Sequence, residues 1–220
     1  MLYIVSTPIG NLKDITLRAI ETLKFVDLIA AEDTRHTKTL CAHYGIETPL
    51  TSYFEHNQFK KGDYIIKQLK EGKQVALVTD AGTPGISDPG YKLINLAKQN
   101  KIQISVVPGP AAFVAALSLS GYPSDRFTFE GFSPVKEGQR RKKLESIKNE
   151  ERTVIFYESP HRLLKTLKDI EEVLGDPKIF VARELTKKFE EGIEGKASEL
   201  SKYFVNKGVK GEFVILLNFC

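Results

Sequence analysis

Short apolar runs alternate along this chain with longer stretches whose apolar residues recur at helical spacing. Runs at residues 2–5, 27–31, 48–53, 75–79 and 102–107 are bounded by Gly, Pro or charged residues and predict strands. Between them, Leu17, Ile20 and Leu23 keep a helical period, as do the stretches 36–44, 57–71 and 111–120, with Gly45, Gly72 and Gly121 as stops. Val75-Ala76-Leu77-Val78-Thr79 is nearly all apolar, which fits a strand buried on both faces of a parallel sheet. Asp88-Pro89 reads as the N-cap and first residue of a helix carrying Tyr91, Leu93, Ile94 and Ala97. Repeated strand–helix order predicts a largely parallel sheet with helices on its faces.

The rhythm restarts after Gly121-Tyr122-Pro123-Ser124. Strands are predicted at 127–131, 153–158, 178–184 and 212–219, and helices at 138–149, 160–174 and 197–205. Ser159 is the expected N-cap of the second helix and Gly175 its stop. The fold class is therefore α/β, with two α/β domains, 1–120 and 121–220, joined by a short hinge.

Composition narrows the class. At 220 residues with 41% hydrophobic and 27% charged content, the chain suits one large domain or two ordinary ones. Met1-Leu2-Tyr3-Ile4-Val5 lacks a basic leader and is cut short by Thr7-Pro8, so it is not expected to be a signal peptide, and no apolar stretch reaches membrane-spanning length. Two cysteines, Cys41 and Cys220, form neither a CxxC nor a metal spacing, so a reducing cytoplasm is expected and a metal site is not; the missing apolar span likewise gives no expectation of a membrane partner. A net charge of +4 favours an anionic partner only weakly.

Candidate chemistry gathers where strands end. Asp80-Ala81-Gly82-Thr83-Pro84-Gly85 puts a carboxylate and two glycines after the central strand, where ligands bind in open α/β sheets. Asp80 can accept bonds from ribose hydroxyls or an ammonium group, though an ordinary strand–turn–helix connection explains the same residues. Pro108-Gly109-Pro110-Ala111-Ala112 opens a helix whose first turn suits an anion, or is plain turn chemistry. Glu32-Asp33-Thr34-Arg35 reads as a cap with a local ion pair, or as the edge of a site. His36, His43, His56 and His161 show no metal-ligand pairing. Arg140-Arg141-Lys142-Lys143 is the densest charge run, either a solvated helix face or a set of phosphate contacts. Glu158, His161 and Arg183 each end or follow a predicted strand and are the candidate catalytic groups. Glu158 or His161 would accept a proton, with Arg183 gripping a phosphate, unless the turn only caps a helix and Arg183-Glu184 is a structural ion pair.

TPIGNLKDIT, AEDTRHT, SYFEHN, VTDAGTPGISDPG, VPGPAA, FEGFSP, FYESPHRL, ARELTKKFEE and GEFVIL together resemble the ribosomal RNA small-subunit methyltransferase I family, within the tetrapyrrole methylase superfamily. The resemblance runs from Leu2 to Leu217. It implies a two-domain methylase, usually a homodimer, with S-adenosylmethionine folded in a cleft between the domains. The implied reaction is 2′-O-methylation of a cytidine ribose in small-subunit (16S) ribosomal RNA. Pro8, Ile9, Gly10, Asp80, Gly82, Thr83, Ala111 and Ala112 fall on the superfamily's cofactor loops, and Phe132, Tyr157, Gly211 and Glu212 fall near the same cleft. Many members continue into a C-terminal helical extension beyond the position of Cys220; if that extension helps grip the ribosomal subunit, RNA affinity here is expected from the body of the protein, with Arg35, Arg140, Arg141, Lys142 and Lys143 the candidate RNA contacts. The competing readings are a methylase of a small molecule such as a tetrapyrrole, and a non-catalytic ribosome-binding module.

Overall fold

The computed structural model describes residues 1–219; Cys220 lies outside them. The chain forms two compact units, Met1–Ala111 and Ala112 onward. In the first, β1 (Leu2–Val5), α1 (Leu17–Phe25), β2 (Leu28–Ala31), α2 (Thr34–Tyr44), β3 (Leu50–Ser52), α3 (Gln58–Lys70), β4 (Val75–Val78), α4 (Tyr91–Gln99) and β5 (Ile104–Val107) follow in order. The strands pair in the order β3-β2-β4-β1-β5, every pair parallel.

The apolar runs explain this sheet. Successive side chains of a strand point to opposite faces. Val75 and Leu77 therefore pack with Leu2, Ile4, Ile65 of α3 and Leu93 of α4. Ala76 and Val78 pack on the other face with Val5, Ala19 and Leu23 of α1 and Leu40 of α2. β2 and β4 are buried on both sides throughout. Each fully buried Leu, Ile or Val contributes roughly 1.5–3 kcal/mol of transfer free energy. The chain leaves β1 toward α1 on one face and β4 toward α4 on the other. β1 and β4 are neighbours, so the point where the connections diverge lies between their carboxyl ends, which is where open α/β sheets bind ligands.

The second unit contains α5 (Ala112–Ser120), β6 (Phe127–Phe132), α6 (Glu137–Ser146), β7 (Thr153–Glu158), α7 (Leu163–Leu174), β8 (Lys178–Arg183), β9 (Glu191–Lys196), α8 (Ala197–Lys207) and β10 (Phe213–Leu217). Its sheet, ordered β6-β7-β10-β8-β9, is mixed: only β6 and β7 pair in parallel. Leu144, Leu163, Leu167, Leu200 and Phe204 of α6, α7 and α8 cover one face through Val154, Phe156, Val181 and Ile215. α5 packs on β7, β9 and β10.

Several expectations change. The largely parallel sheet holds for the first unit only, because β10 inserts antiparallel between β7 and β8. β9 was not expected, since EGIEGK carries glycines where strands usually carry branched residues. Crowding requires one of them: a Cβ on Gly192 would lie 2.7 Å from Phe180 Cζ and 2.9 Å from Leu119 Cδ2. Asp88 and Ser159 are not helix caps; α4 starts after Gly90 and α7 after Arg162, neither with a side-chain cap. α5, placed before the expected hinge at Gly121, packs on the second sheet.

Candidate functional site

In the first unit, the loops after β1 and β4 are fastened across the divergence point. Thr7 N–H donates to the Gly82 carbonyl at 2.9 Å, and Gly82 N–H to that of Thr7 at 3.1 Å. Gly82 takes φ +85°, left-handed backbone that glycine adopts without strain. The Ser6 and Thr83 hydroxyls sit 2.9 Å apart, and Thr7 Oγ1 donates to the Thr79 carbonyl at 3.0 Å. The loop after β5 closes on the same place, with Gly109 so tight against Ser6 that a Cβ would lie 2.8 Å from Ser6 Cβ. Pro8, Ile9, Gly10, Asp80, Gly82, Thr83 and Ala111 thus occupy three loops at one sheet end, while Ala112 opens α5.

Carboxylates brace the neighbouring loop. Glu32, after β2, accepts from Thr79 Oγ1 at 2.5 Å and from Asp80 N–H at 3.3 Å. Asp80 Oδ1 accepts from Asp33 N–H at 3.1 Å, with His36 Nδ1 3.7 Å away. Asp88 joins the group through the Thr79 hydroxyl. Burial, with Glu32 and Asp80 adding repulsion, pushes Asp88 up to about 6. Burial likewise raises Asp80, which the Asp33 N–H partly offsets. A ligand presenting hydroxyl or ammonium donors would relieve that desolvation, so Asp80 and its glycine loop fit the ribose or amino end of a nucleoside-type cofactor. Arg35 is exposed, but its guanidinium is already paired with Asp33 at 2.6 Å, which holds Asp33 well below the usual carboxylate range.

In the second unit, the carboxyl ends of the parallel strands β6 and β7 carry a denser network. Glu158, 1% exposed, accepts from the Ser133 hydroxyl, from Thr166 Oγ1 at 2.5 Å and from Ser159 N–H at 2.7 Å, and pairs with Arg162 Nη2 at 3.0 Å. This corrects the expectation of a catalytic base: the carboxylate is enclosed and fully engaged by groups of its own unit. Arg183 is engaged too, its Nε donating to the Lys210 carbonyl at 2.7 Å and its Nη1 lying 3.7 Å from Glu191. The expected phosphate grip is thus a guanidinium held by the backbone and a carboxylate of its own unit. His161 is exposed and has no partner among the described residues.

The basic run divides sharply. Arg140 is 3% exposed; it pairs with Asp169 at 2.5 Å and donates to the Pro134 and Val135 carbonyls at 3.3 Å. It is removed from the RNA-contact expectation, because helical spacing puts Arg140 and Leu144 on the inner face of α6. Arg141 bonds Asp169 and Glu172, and Lys143 pairs with Glu130 at 2.5 Å. Lys142 alone of the four is exposed without an ion pair among the described residues.

Of the remaining candidates, Phe132 is exposed and set edge-on to half-buried Tyr157, whose hydroxyl accepts from Phe113 N–H at 3.2 Å. Gly211 lies against Glu184, where a Cβ would meet Cγ at 2.5 Å, and Glu212 pairs with Lys187 at 2.8 Å. Sequence reasoning missed Glu32, Asp88 and Arg162 as structural partners. The i,i+4 spacing of Glu158 and Arg162 was the one local signal among them. Among the described residues no group of His, Cys, Asp or Glu could hold a metal ion, and no helix is long and apolar enough to cross a membrane.

Comparison with known proteins now gives this arrangement its lineage. The model of the tetrapyrrole (corrin/porphyrin) methylases matches residues 1–201. The Ribosomal RNA small subunit methyltransferase I of Thermotoga maritima is 50% identical over 217 residues, 99% of this chain and 97% of the relative. That of Synechocystis sp. is 49% identical over 218 residues, 99% of this chain and 78% of the relative. A solved cobalt precorrin-4 methyltransferase shares the fold, with a TM-score of 0.73 at 19% identity, over 98% of this chain and 93% of its own. The chain therefore belongs to the tetrapyrrole methylase family of S-adenosylmethionine-dependent methyltransferases, alongside relatives that are ribosomal RNA small subunit methyltransferases I.

Proposed function

We propose that this protein methylates the 2′-hydroxyl of a cytidine ribose in small-subunit ribosomal RNA, as a cytoplasmic homodimer using S-adenosylmethionine. The observation that carries this reading is the near full-length identity to the Thermotoga maritima relative. The likeness to cobalt precorrin-4 methyltransferase, at 19% identity, is one of fold, and no tetrapyrrole substrate follows from it.

The first unit supports the donor side. Pro8, Ile9, Gly10, Asp80, Gly82, Thr83, Ala111 and Ala112 are the first unit's loop residues proposed to hold the cofactor (with Ala112 at the start of α5), and Phe132, Tyr157, Gly211 and Glu212 are the second unit's candidates for the same role. When bound, S-adenosylmethionine supplies a methyl group made electrophilic by its sulfonium. Transfer to a hydroxyl is an in-line displacement, so alignment by rigid loops matters most. The Thr7–Gly82 bridge and the Glu32 brace supply that rigidity. A ribose hydroxyl also has a proton to lose, and His161 is proposed as its acceptor, being exposed and unpartnered where Glu158 is neither.

The test is incubation with labelled S-adenosylmethionine and undermethylated small ribosomal subunits, followed by mapping of the label. The expected product is one cytidine labelled on its 2′-oxygen. Cofactor binding without any labelled RNA would sink the reading.

A further inference from the structure

The network around Glu158 is larger than a helix start needs. It fixes two loops at once: Phe132-Ser133-Pro134 after β6 through the Ser133 hydroxyl, and Ser159–Arg162 after β7 through Ser159 N–H and the guanidinium. Arg162 is held at three points, by Glu158 at 3.0 Å, Ser159 Oγ at 3.2 Å and the Ser133 carbonyl at 3.3 Å. A guanidinium has five N–H donors in a rigid fork, so donors remain beyond these three acceptors. Its side chain is 18% exposed, enough to present an edge to solvent.

Phe132 is placed with the same care. The β6–β7 register shifts between Phe129 and Phe132, where Gly131 takes φ +67°; such bulges re-aim the following side chain. The result is a large apolar ring, 53% exposed, on the rim of a buried polar cluster. Tyr157 supports its edge at 5.5 Å between centroids, and Arg162 lies 6.0 Å from its centroid. Exposing that ring is unfavourable in water. An exposed ring set beside a guanidinium with donors to spare suits a ligand that has both a flat face and an anion.

We infer that Phe132 and Arg162 form a nucleotide clamp for the substrate RNA, with Phe132 stacking on an unpaired base, Arg162 donating to its phosphate, and Glu158 acting as the positioning residue. The inference rests on the RNA-methylating reading above and deepens it. Single-stranded RNA is the fitting occupant, because splayed bases stack on aromatic side chains while Arg takes phosphate through its fork. Glu158 never touches the substrate; it removes the rotamer freedom that the clamp would otherwise lose on binding.

The experiment is steady-state methylation of undermethylated small subunits, with cofactor affinity measured separately by calorimetry. Phe132→Ala should raise KM for the subunit roughly 5- to 150-fold, the range of one base–aromatic stack, while Phe132→Tyr restores it. Cofactor affinity should stay unchanged in both. Arg162→Lys should raise KM, because an ammonium lacks the guanidinium fork, while the salt slope of binding stays nearly unchanged since the charge is kept. Glu158→Gln should raise KM with the pH dependence of kcat retained, whereas loss of a base would cost roughly 10²–10⁴ in kcat and alter that profile. If Phe132→Ala weakens cofactor binding instead, the ring belongs to the cofactor site and the clamp is refuted. If the wild type labels the RNA and the Phe132 and Arg162 variants match it, the clamp falls and the methylation reading stands. If the wild type labels no RNA, both fall together.

Discussion

Both units put carboxylates at the carboxyl ends of parallel strands, yet the two groups are balanced differently. In the first, Glu32, Asp80 and Asp88 crowd around one threonine hydroxyl and two backbone N–H groups, with no Lys or Arg among the described residues paired to them. In the second, Glu158 and Asp169 are more deeply buried, but each has an arginine within 3.0 Å. Burial without a cation raises the affinity of a carboxyl for its proton, and both Asp80 and Asp88 show that rise. An unbalanced carboxylate cluster has acceptors left for a ligand's donors; in a balanced one the carboxylates hold their own loops, and only the arginine has capacity to spare. The same residue type at the same strand end therefore supports binding in one unit and architecture in the other.

The balanced side should be the more costly to break. Arg140→Ala would leave Asp169 buried with half its pairing gone, and removing one partner of a buried ion pair typically costs about 3–5 kcal/mol. Arg141 still donates to Asp169 at 3.0 Å, so the lower part of that range is expected. Urea unfolding measures it, and the double replacement Arg140→Met with Asp169→Leu should recover most of the loss. A single variant within about 0.5 kcal/mol of wild type, the ordinary surface range, would erase the contrast.

The unbalanced side should respond to ligand instead. Asp80→Ala removes one charge-assisted acceptor from the proposed cofactor loop, worth about 1.5–3 kcal/mol, or ten- to a hundredfold in S-adenosylmethionine affinity. Calorimetry with unchanged affinity would end Asp80's role. Asp88 offers a pH test of the same idea. Its folded pKa, raised from 3.8 to about 6, means the folded state keeps a proton that the unfolded chain has released between those values. Stability from this group is thus fully present below about pH 4 and lost as pH rises toward 6. The full shift corresponds to about 3 kcal/mol, and solvent at this partly buried loop should reduce it to about 1–2 kcal/mol. Asp88→Asn should therefore be more stable at pH 7 and flatter between pH 4 and 6, read from denaturant midpoints at each pH. Equal stability at pH 7 would show that Asp88 is already compensated.

The contrast itself was only half legible in the sequence. Strands buried on both faces announce themselves as apolar runs, so the first sheet could be read from β1, β2 and β4 directly. Nothing local signals that β10 slots between β7 and β8, and Gly192 of β9 answers to Phe180 and Leu119 rather than to strand propensity. At the sites, Asp80 was visible by position after a central strand. Asp88 and Ser159 looked like caps because short polar residues before helices usually are. Their side chains or N–H groups instead meet Thr79 and Glu158. Arg140 sat in a run of cations, and only Asp169, far along the chain, decides that it faces inward.

The smallest expected effect sharpens the comparison at its surface. Arg140, Arg141 and Lys143 have acidic partners in the second unit, and Arg35 has one in the first, so their charges are largely answered within the protein. Lys142 projects from α6 with no such partner among the described residues, which leaves its ammonium available to an RNA phosphate. Counterion release ties the salt dependence of binding to the number of phosphates neutralised. Lys142→Ala should therefore reduce the slope of log affinity against log salt by about one, with cofactor affinity and unfolding midpoint unchanged. Lys143→Ala should change the slope less, since Glu130 already holds that side chain at 2.5 Å. Filter binding to small subunits across a salt series compares the two. Equal slopes for both variants and wild type would make the whole α6 run a solvated helix face. A larger change at Lys143 would mean that RNA displaces Glu130, and that ion pairs in the unbound protein are a poor guide to which cations meet the substrate.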